Sequence, residues 1–236
     1  HYYVEYACLA ITAVLIGEAL LKSETGKSKV EAGRIGFQKV LAAHSFTWIG
    51  VQTMFIYMYA YLSYRLPWAD DAKLGSMVAW GFFWLNLVGA LLPVLVLEPL
   101  TEKYGRVRTH MACMAVMAAG YFGMIFFGWT ELAIYALMVV LGVGWAAVVS
   151  LPFAIMSQKV DQSGMGLYMG LFNLSVVLPQ LVASLGIGQL VGDTENKSII
   201  FGICGITLAI SAVSWLLVKE EEGEGAGHGP LHPGAP

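Results

Sequence analysis

The sequence predicts an all-α, polytopic membrane protein, and two observations carry that prediction. Of 236 residues, 58% are hydrophobic and only 12% are charged, whereas soluble domains carry about 25% charged residues. The apolar residues also collect into seven runs, about 2–21, 46–65, 75–97, 108–128, 132–156, 165–191 and 198–218. A helix of about 20 apolar residues crosses roughly 30 Å of hydrocarbon at 1.5 Å per residue. Each run therefore reads as a transmembrane helix.

In chain order, residues 1–21 form the first span. Residues 22–45, "KSETGKSKVEAGRIGFQKVLAAHS", form the longest polar connection. Residues 46–218 hold the other six runs, joined by short links, and read as one six-helix bundle. The tail 219–236 is acidic, then rich in Gly and Pro; it has nothing apolar to bury and is expected to be disordered. If the first run travels inward, 10 of the 13 Lys and Arg residues fall on inner segments. Basic residues favour the cytoplasmic side, so the C-terminus is expected in the cytoplasm of a cell (inner or plasma) membrane. The chain opens on His1 rather than Met, no signal peptide precedes the first run, and the sequence is expected to be a fragment.

Several chemistries find no support. Cys8, Cys113 and Cys204 lie far apart inside apolar runs and read as small buried hydrophobes. "LKSETGKS" imitates a phosphate-binding loop, but Leu21 stands where that motif needs Gly, and no strand precedes it. His228 and His232 sit in the tail without a third ligand. No catalytic residue, metal site, cofactor or nucleic-acid partner is expected, and no surface cluster of His, Asp or Glu points to a membrane enzyme. No Asp, Glu, Lys, Arg or His lies near the middle of a run; a group coupling transport to an ion is expected outside this chain.

Polar atoms are spread unevenly. Runs four and seven hold little beyond Ser and Thr, which can bond their own helix carbonyls. In run two, Ser45, Trp48, Gln52, Phe55 and Tyr59 share one face, and Thr53, Tyr57, Tyr61 and Tyr64 another. Run three aligns Phe82, Asn86, Gly89 and Pro93; run six aligns Asn173, Val177, Gln180 and Ser184. An amide in hydrocarbon costs several kcal/mol unless paired or wet. Four helices with polar groups at one depth therefore point to a shared cavity, the alternative being amides that only join helices. Run five centres on Trp145, flanked by Gly142 and Gly144, which let a neighbour approach. Pro152 bends that helix or lets it flex. An indole face beside amides suits a sugar ring and its hydroxyls, the alternative for Trp145 being plain packing. The candidate substrate-binding residues are Gln52, Tyr59, Asn86, Trp145, Asn173 and Gln180.

"SLPFAIMSQKV" followed by "GMGLYMGLFNLSVVLPQLVASLGIG" resembles the glycoside–cation symporter branch of the major facilitator superfamily, and the plant sucrose transporters. The shared elements are Pro152-Phe153-Ala154, Gly166 to Gly170, Asn173 and Pro179-Gln180. The loop "LTEKYGRVR" resembles the superfamily's acidic-basic-x-Gly-Arg loop through Glu102, Lys103, Gly105 and Arg106; it departs at Glu98, where Gly is usual, and at Val107, where a basic residue is usual. The resemblance implies that the chain is helix six, the loop between halves, and the C-terminal six-helix bundle. It also implies that runs two, three, five and six line the cavity, the four already singled out by polarity.

The sequence thus predicts part of a secondary active sugar transporter. It would carry an α-glucoside such as sucrose or maltose together with a proton or cation, by alternating access. Its partners would be the sugar, the coupling ion, the lipid bilayer and the missing N-terminal half. Glu102, Lys103, Gly105, Arg106 and Pro152 would serve conformational change. A facilitator of another organic solute or drug, or a non-transporting scaffold, stands as the alternative.

Overall fold

A computed structural model describes residues 14–220; the part of the predicted 2–21 span before residue 14, and the tail beyond 220, lie outside the described residues. Helix follows helix, as the composition requires. A segment over 14–21 (α1) leads to α2 (Lys29–Arg65), α3 (Asp71–Leu92), α4 (Glu98–Tyr104), α5 (Arg106–Phe127) and α6 (Glu131–Lys159). Then come α7 (Met165–Leu181), α8 (Gly188–Asp193) and α9 (Ile199–Trp215). Among the described residues, four helical rods are long and apolar enough to cross a membrane: Asp71–Tyr104, Arg106–Phe127, Glu131–Lys159 and Gln162–Asp193. Ile199–Trp215 is a shorter apolar helix. α2 is more polar, because Thr47, Gln52, Thr53 and several tyrosines interrupt its apolar residues.

The connection expected over 22–45 is largely helical. α2 starts at Lys29 and runs 37 residues, about 55 Å at 1.5 Å per residue, so only 22–28 remain as a link. Ser28 caps it, its hydroxyl accepting from the Glu31 N–H at 3.3 Å, and Glu31 places negative charge in the first turn. Its charged residues do not disrupt it. Lys39 is buried and paired with Glu24 at 2.8 Å, while Lys29 and Arg34 stay exposed.

Two prolines widen a turn rather than end a rod. Pro93 has no N–H and would clash with the carbonyl one turn back. The helix opens into a π turn over Pro93–Leu97, with the Glu98 N–H reaching the Pro93 carbonyl, and then resumes as α4. Pro179 precedes a second π turn over Val182–Ile187, which leads into α8. Pro152 is tolerated inside α6, which continues to Lys159. Gly105 ends α4 at φ 91°, a left-handed conformation that favours glycine.

α6 is the central rod, packed between α3 and α5; α9 lies against α2 and α5, and α7 lies mainly against α2. Two glycines set the spacing. A Cβ on Gly142 would fall 2.6 Å from the Val88 Cβ and 3.0 Å from the Leu85 carbonyl, so α3 sits directly on it. A Cβ on Gly144 would strike Met117 of α5. The paired small residues expected to admit a neighbour thus admit two, one on each side. The core between them is rich in buried methionine: Met54, Met58, Met77, Met114, Met117 and Met138.

Gly144→Val should therefore cost about 1–3 kcal/mol through overpacking, read as a lowered melting temperature in detergent. Gly75, whose added Cβ would meet nothing within 4 Å, supplies the contrast. Gly75→Ala should leave stability unchanged or raise it by up to about 1 kcal/mol.

Candidate functional site

Trp145 and Asn86 come together. The Trp145 indole N–H donates to the Asn86 Oδ1 at 3.1 Å, and the Asn86 Nδ2 donates to the Phe82 carbonyl at 2.8 Å. Asn86 is exposed and Trp145 half-buried. A primary amide offers two N–H groups and two lone pairs, so one donor and one acceptor position of Asn86 stay open beside the indole. Gly89, one turn along α3, makes room: a Cβ there would lie 2.6 Å from the Trp145 ring. α2 closes the other side, with Phe55 edge-on at 5.3 Å and Trp48 edge-on at 6.2 Å. Phe82 stacks on Phe55 at 5.0 Å. Gln52 is half-buried and lies between Trp48 and Phe55 on the same stripe of α2.

The remaining substrate candidates are distributed differently. The exposed Tyr59 gives its hydroxyl to the Asp71 Oδ1 at 2.7 Å, near the start of α3. That end also holds the Lys73–Glu131 ion pair at 2.6 Å and the Arg65 guanidinium, which lies 3.4 Å over the Trp129 ring and donates to the Ile125 carbonyl. Asn173 is exposed and Gln180 half-buried on α7. Among the described residues their side chains make no hydrogen bond to a neighbouring helix. α7 is linked to the Trp145 group through Phe172, His44 and Trp48.

At the opposite end, where α6 finishes at Lys159, Glu102 and Lys103 are exposed on α4, with the Lys103 Nζ 5.0 Å from its neighbour's Tyr104 ring. The carboxylate that docks at this turn is Glu220. It accepts from the N–H groups of Arg106 at 2.8 Å, Val107 at 3.0 Å and Arg108 at 3.4 Å, the first turn of α5. A helix start carries unpaired N–H groups and partial positive charge, and so holds an anion well. Gly105 gives way to it, since a Cβ there would lie 2.5 Å from the Glu220 carboxyl. Nearby, Lys159 donates to the Lys219 carbonyl at 2.8 Å. A cavity of about 460 Å³ opens beside Glu24, Arg34, Lys159, Asp161 and Lys219, away from the Trp145 face.

Sequence reasoning passed over three groups. His44 and His110 are buried within the bundle. The His44 Nε2 accepts from the Trp48 indole N–H at 2.9 Å, and its ring stacks on Phe172 at 4.9 Å. The signal was the four-residue spacing of His44 and Trp48, which puts both on one helix face. Glu220 lies 114 residues from Arg106 along the chain, a pairing no local pattern could announce.

A helical bundle with four rods long and apolar enough to cross a membrane, among the described residues, and an open face of aromatic rings and amides defines the class: a multi-pass helical membrane protein. Residues 3–184 match the family profile of the Major Facilitator Superfamily, and the chain belongs to that family. It is 24% identical over 213 residues to the sucrose transport protein SUC4 of Arabidopsis thaliana, covering 78% of this chain and 41% of that protein. It is 29% identical over 182 residues to the sucrose transport protein SUT2 of Oryza sativa subsp. indica, covering 63% of this chain and 35% of that protein. The chain therefore spans about two fifths or less of the length of these relatives. Among solved structures, the POT family transporter PepTSo superposes with a TM-score of 0.67 at 17% identity, over 77% of this chain and 37% of its own. An auto-inhibited POT family peptide transporter gives 0.62 at 18%, over 78% and 37%. At such identities these two share the fold.

Replacing Glu220 by Gln should remove the charge that faces the α5 N-terminus and cost about 0.3–1 kcal/mol. Glu220→Ala, which also removes the hydrogen-bond acceptor, should cost about 0.5–2 kcal/mol. Thermal melts of the two variants against wild type measure both.

Proposed function

We propose that this chain supplies one half of a secondary active sugar transporter, carrying an α-glucoside of the sucrose or maltose kind with a proton or cation by alternating access. The observation that carries the reading is the Trp145–Asn86 pair: a fixed indole with an exposed amide beside it. A sugar presents a C–H-rich ring face and a rim of hydroxyls, and this pair offers an apolar plane and open donor and acceptor positions. The sucrose transport proteins among the relatives support the same substrate class. Gln52 adds a second amide from α2, and Asn173 and Gln180 extend the polar surface along α7. Tyr59, held to Asp71, stands at the rim. An N-terminal half would supply the opposite wall and the coupling group, and the Lys159 end would face the cytoplasm of a plasma or inner membrane. Pro152 and the Glu102–Arg106 turn would serve the conformational cycle.

A facilitator of a charged solute is the competing reading. Among the described residues the site has no counter-charge: the Lys73–Glu131 pair and Asp71 lie at the start of α3 and α6, away from Asn86 and Trp145.

In the complete transporter, Trp145→Ala should weaken sucrose or maltose binding by about 1–2 kcal/mol, roughly five- to thirtyfold. Trp145→Phe should keep most of the affinity. Unchanged α-glucoside binding in Trp145→Ala would remove the stacking role. Cysteines at 86, 173 and 180 should react with a water-soluble thiol reagent and be protected by the sugar; three inert cysteines would return the amides to helix joining.

A further inference from the structure

We propose that His44 is a positioning residue for the Trp145–Asn86 site, acting through Trp48 and tying the orientation of that site to helix α7. The inference rests on reading that face as a sugar site. Four contacts form a continuous path. Phe172 of α7, adjacent in sequence to Asn173, stacks on the His44 ring with centroids 4.9 Å apart and planes 11° from parallel. The His44 Nε2 accepts the Trp48 indole N–H at 2.9 Å. The Trp48 ring stands edge-on to Trp145, 6.2 Å away at 81°. Trp145 then donates to Asn86 at 3.1 Å.

Each link constrains the next. His44 is 2% exposed, so its ring has little freedom once Phe172 covers its face. An imidazole nitrogen that accepts a hydrogen bond carries no proton, so neutral His44 keeps its proton on Nδ1. Among the described residues the imidazole is the acceptor that the Trp48 indole uses. Without it the Trp48 N–H would be left unpaired in a half-buried site or would turn away, taking its edge from Trp145. A residue that merely filled the core would need neither the Nε2 acceptor nor the stack. Movement of α7 would pass through Phe172, His44 and Trp48 to the indole that holds Asn86.

The test separates acceptor from volume in the complete transporter. His44→Leu keeps bulk and removes the acceptor; His44→Gln keeps an acceptor oxygen at similar reach. With the protein labelled with ¹⁵N at tryptophan indoles, Trp48 and Trp145 resonances are assigned by Trp48→Phe and Trp145→Phe. His44→Leu should shift both resonances and weaken sucrose binding roughly two- to tenfold, the size of one hydrogen bond. His44→Gln should restore most of both. Adding Trp48→Phe to His44→Leu should lower affinity no further, because the two act as one unit. A Trp145 resonance unmoved by His44→Leu would overturn the proposal, as would equal losses in the Leu and Gln variants. If wild type binds no α-glucoside, the sugar reading falls while the Trp145 resonance still decides the role of His44.

Discussion

The close approach of three helices at residues 142–145 is the constraint on which the rest of this structure depends. Gly142 brings α3 onto α6, and Gly144 brings α5 onto its other side. Neither approach tolerates a side chain. With both neighbours drawn in, the large ring of Trp145 can leave α6 only along the path that Gly89 and the aromatic edge of α2 keep open. The smallest residues in the helix thus decide where the largest one goes. The indole and the amide of Asn86 meet because the backbones on either side are already fixed, which is the economical way to hold a binding group in one rotamer.

Elsewhere, tyrosine hydroxyls of α2 bond main-chain carbonyls of neighbouring elements. The Tyr57 hydroxyl of α2 donates to the carbonyls of Ala183 and Ser184, at 3.0 and 3.3 Å, within the π turn that follows Pro179. Gly188 leaves the space for that hydroxyl. The Tyr61 hydroxyl similarly donates to the Met124 carbonyl at 2.5 Å, near the end of α5. The tyrosine stripe opposite Trp48 and Gln52 therefore joins α2 to its neighbours, while the first stripe faces the candidate site.

Much of this was legible in the sequence. The apolar runs place the rods, because hydrocarbon thickness sets their length, and the Gly142, Gly144 and Trp145 cluster marks the crossing. The start of α2 was missed because charge density between 22 and 45 looks like a loop. Yet Ser28 with Glu31 three residues later is a helix-start signature. The amides stood out as polar positions within apolar runs, but not that Asn86 joins Trp145 while Asn173 and Gln180 lie on a helix that packs mainly against α2. Depth follows from position along a helix; angular placement follows from packing. His44 escaped notice because it stands just before the apolar run, and the helix continues back through it.

The methionines of the core give the bundle a mechanical character. Met54 and Met58 of α2, Met114 and Met117 of α5 and Met138 of α6 are buried where the rods meet. An unbranched thioether chain has several rotatable bonds and a polarisable sulfur, so it can refill a shifted gap by changing rotamer. β-branched residues in those places would lock one ridge-and-groove register, and a small sliding of one rod would open voids. Here the seams are upholstered rather than keyed. The glycine contacts of α6 remain the rigid pivot, and the softer seams around them can accept more than one alignment of neighbouring rods with little loss of contact.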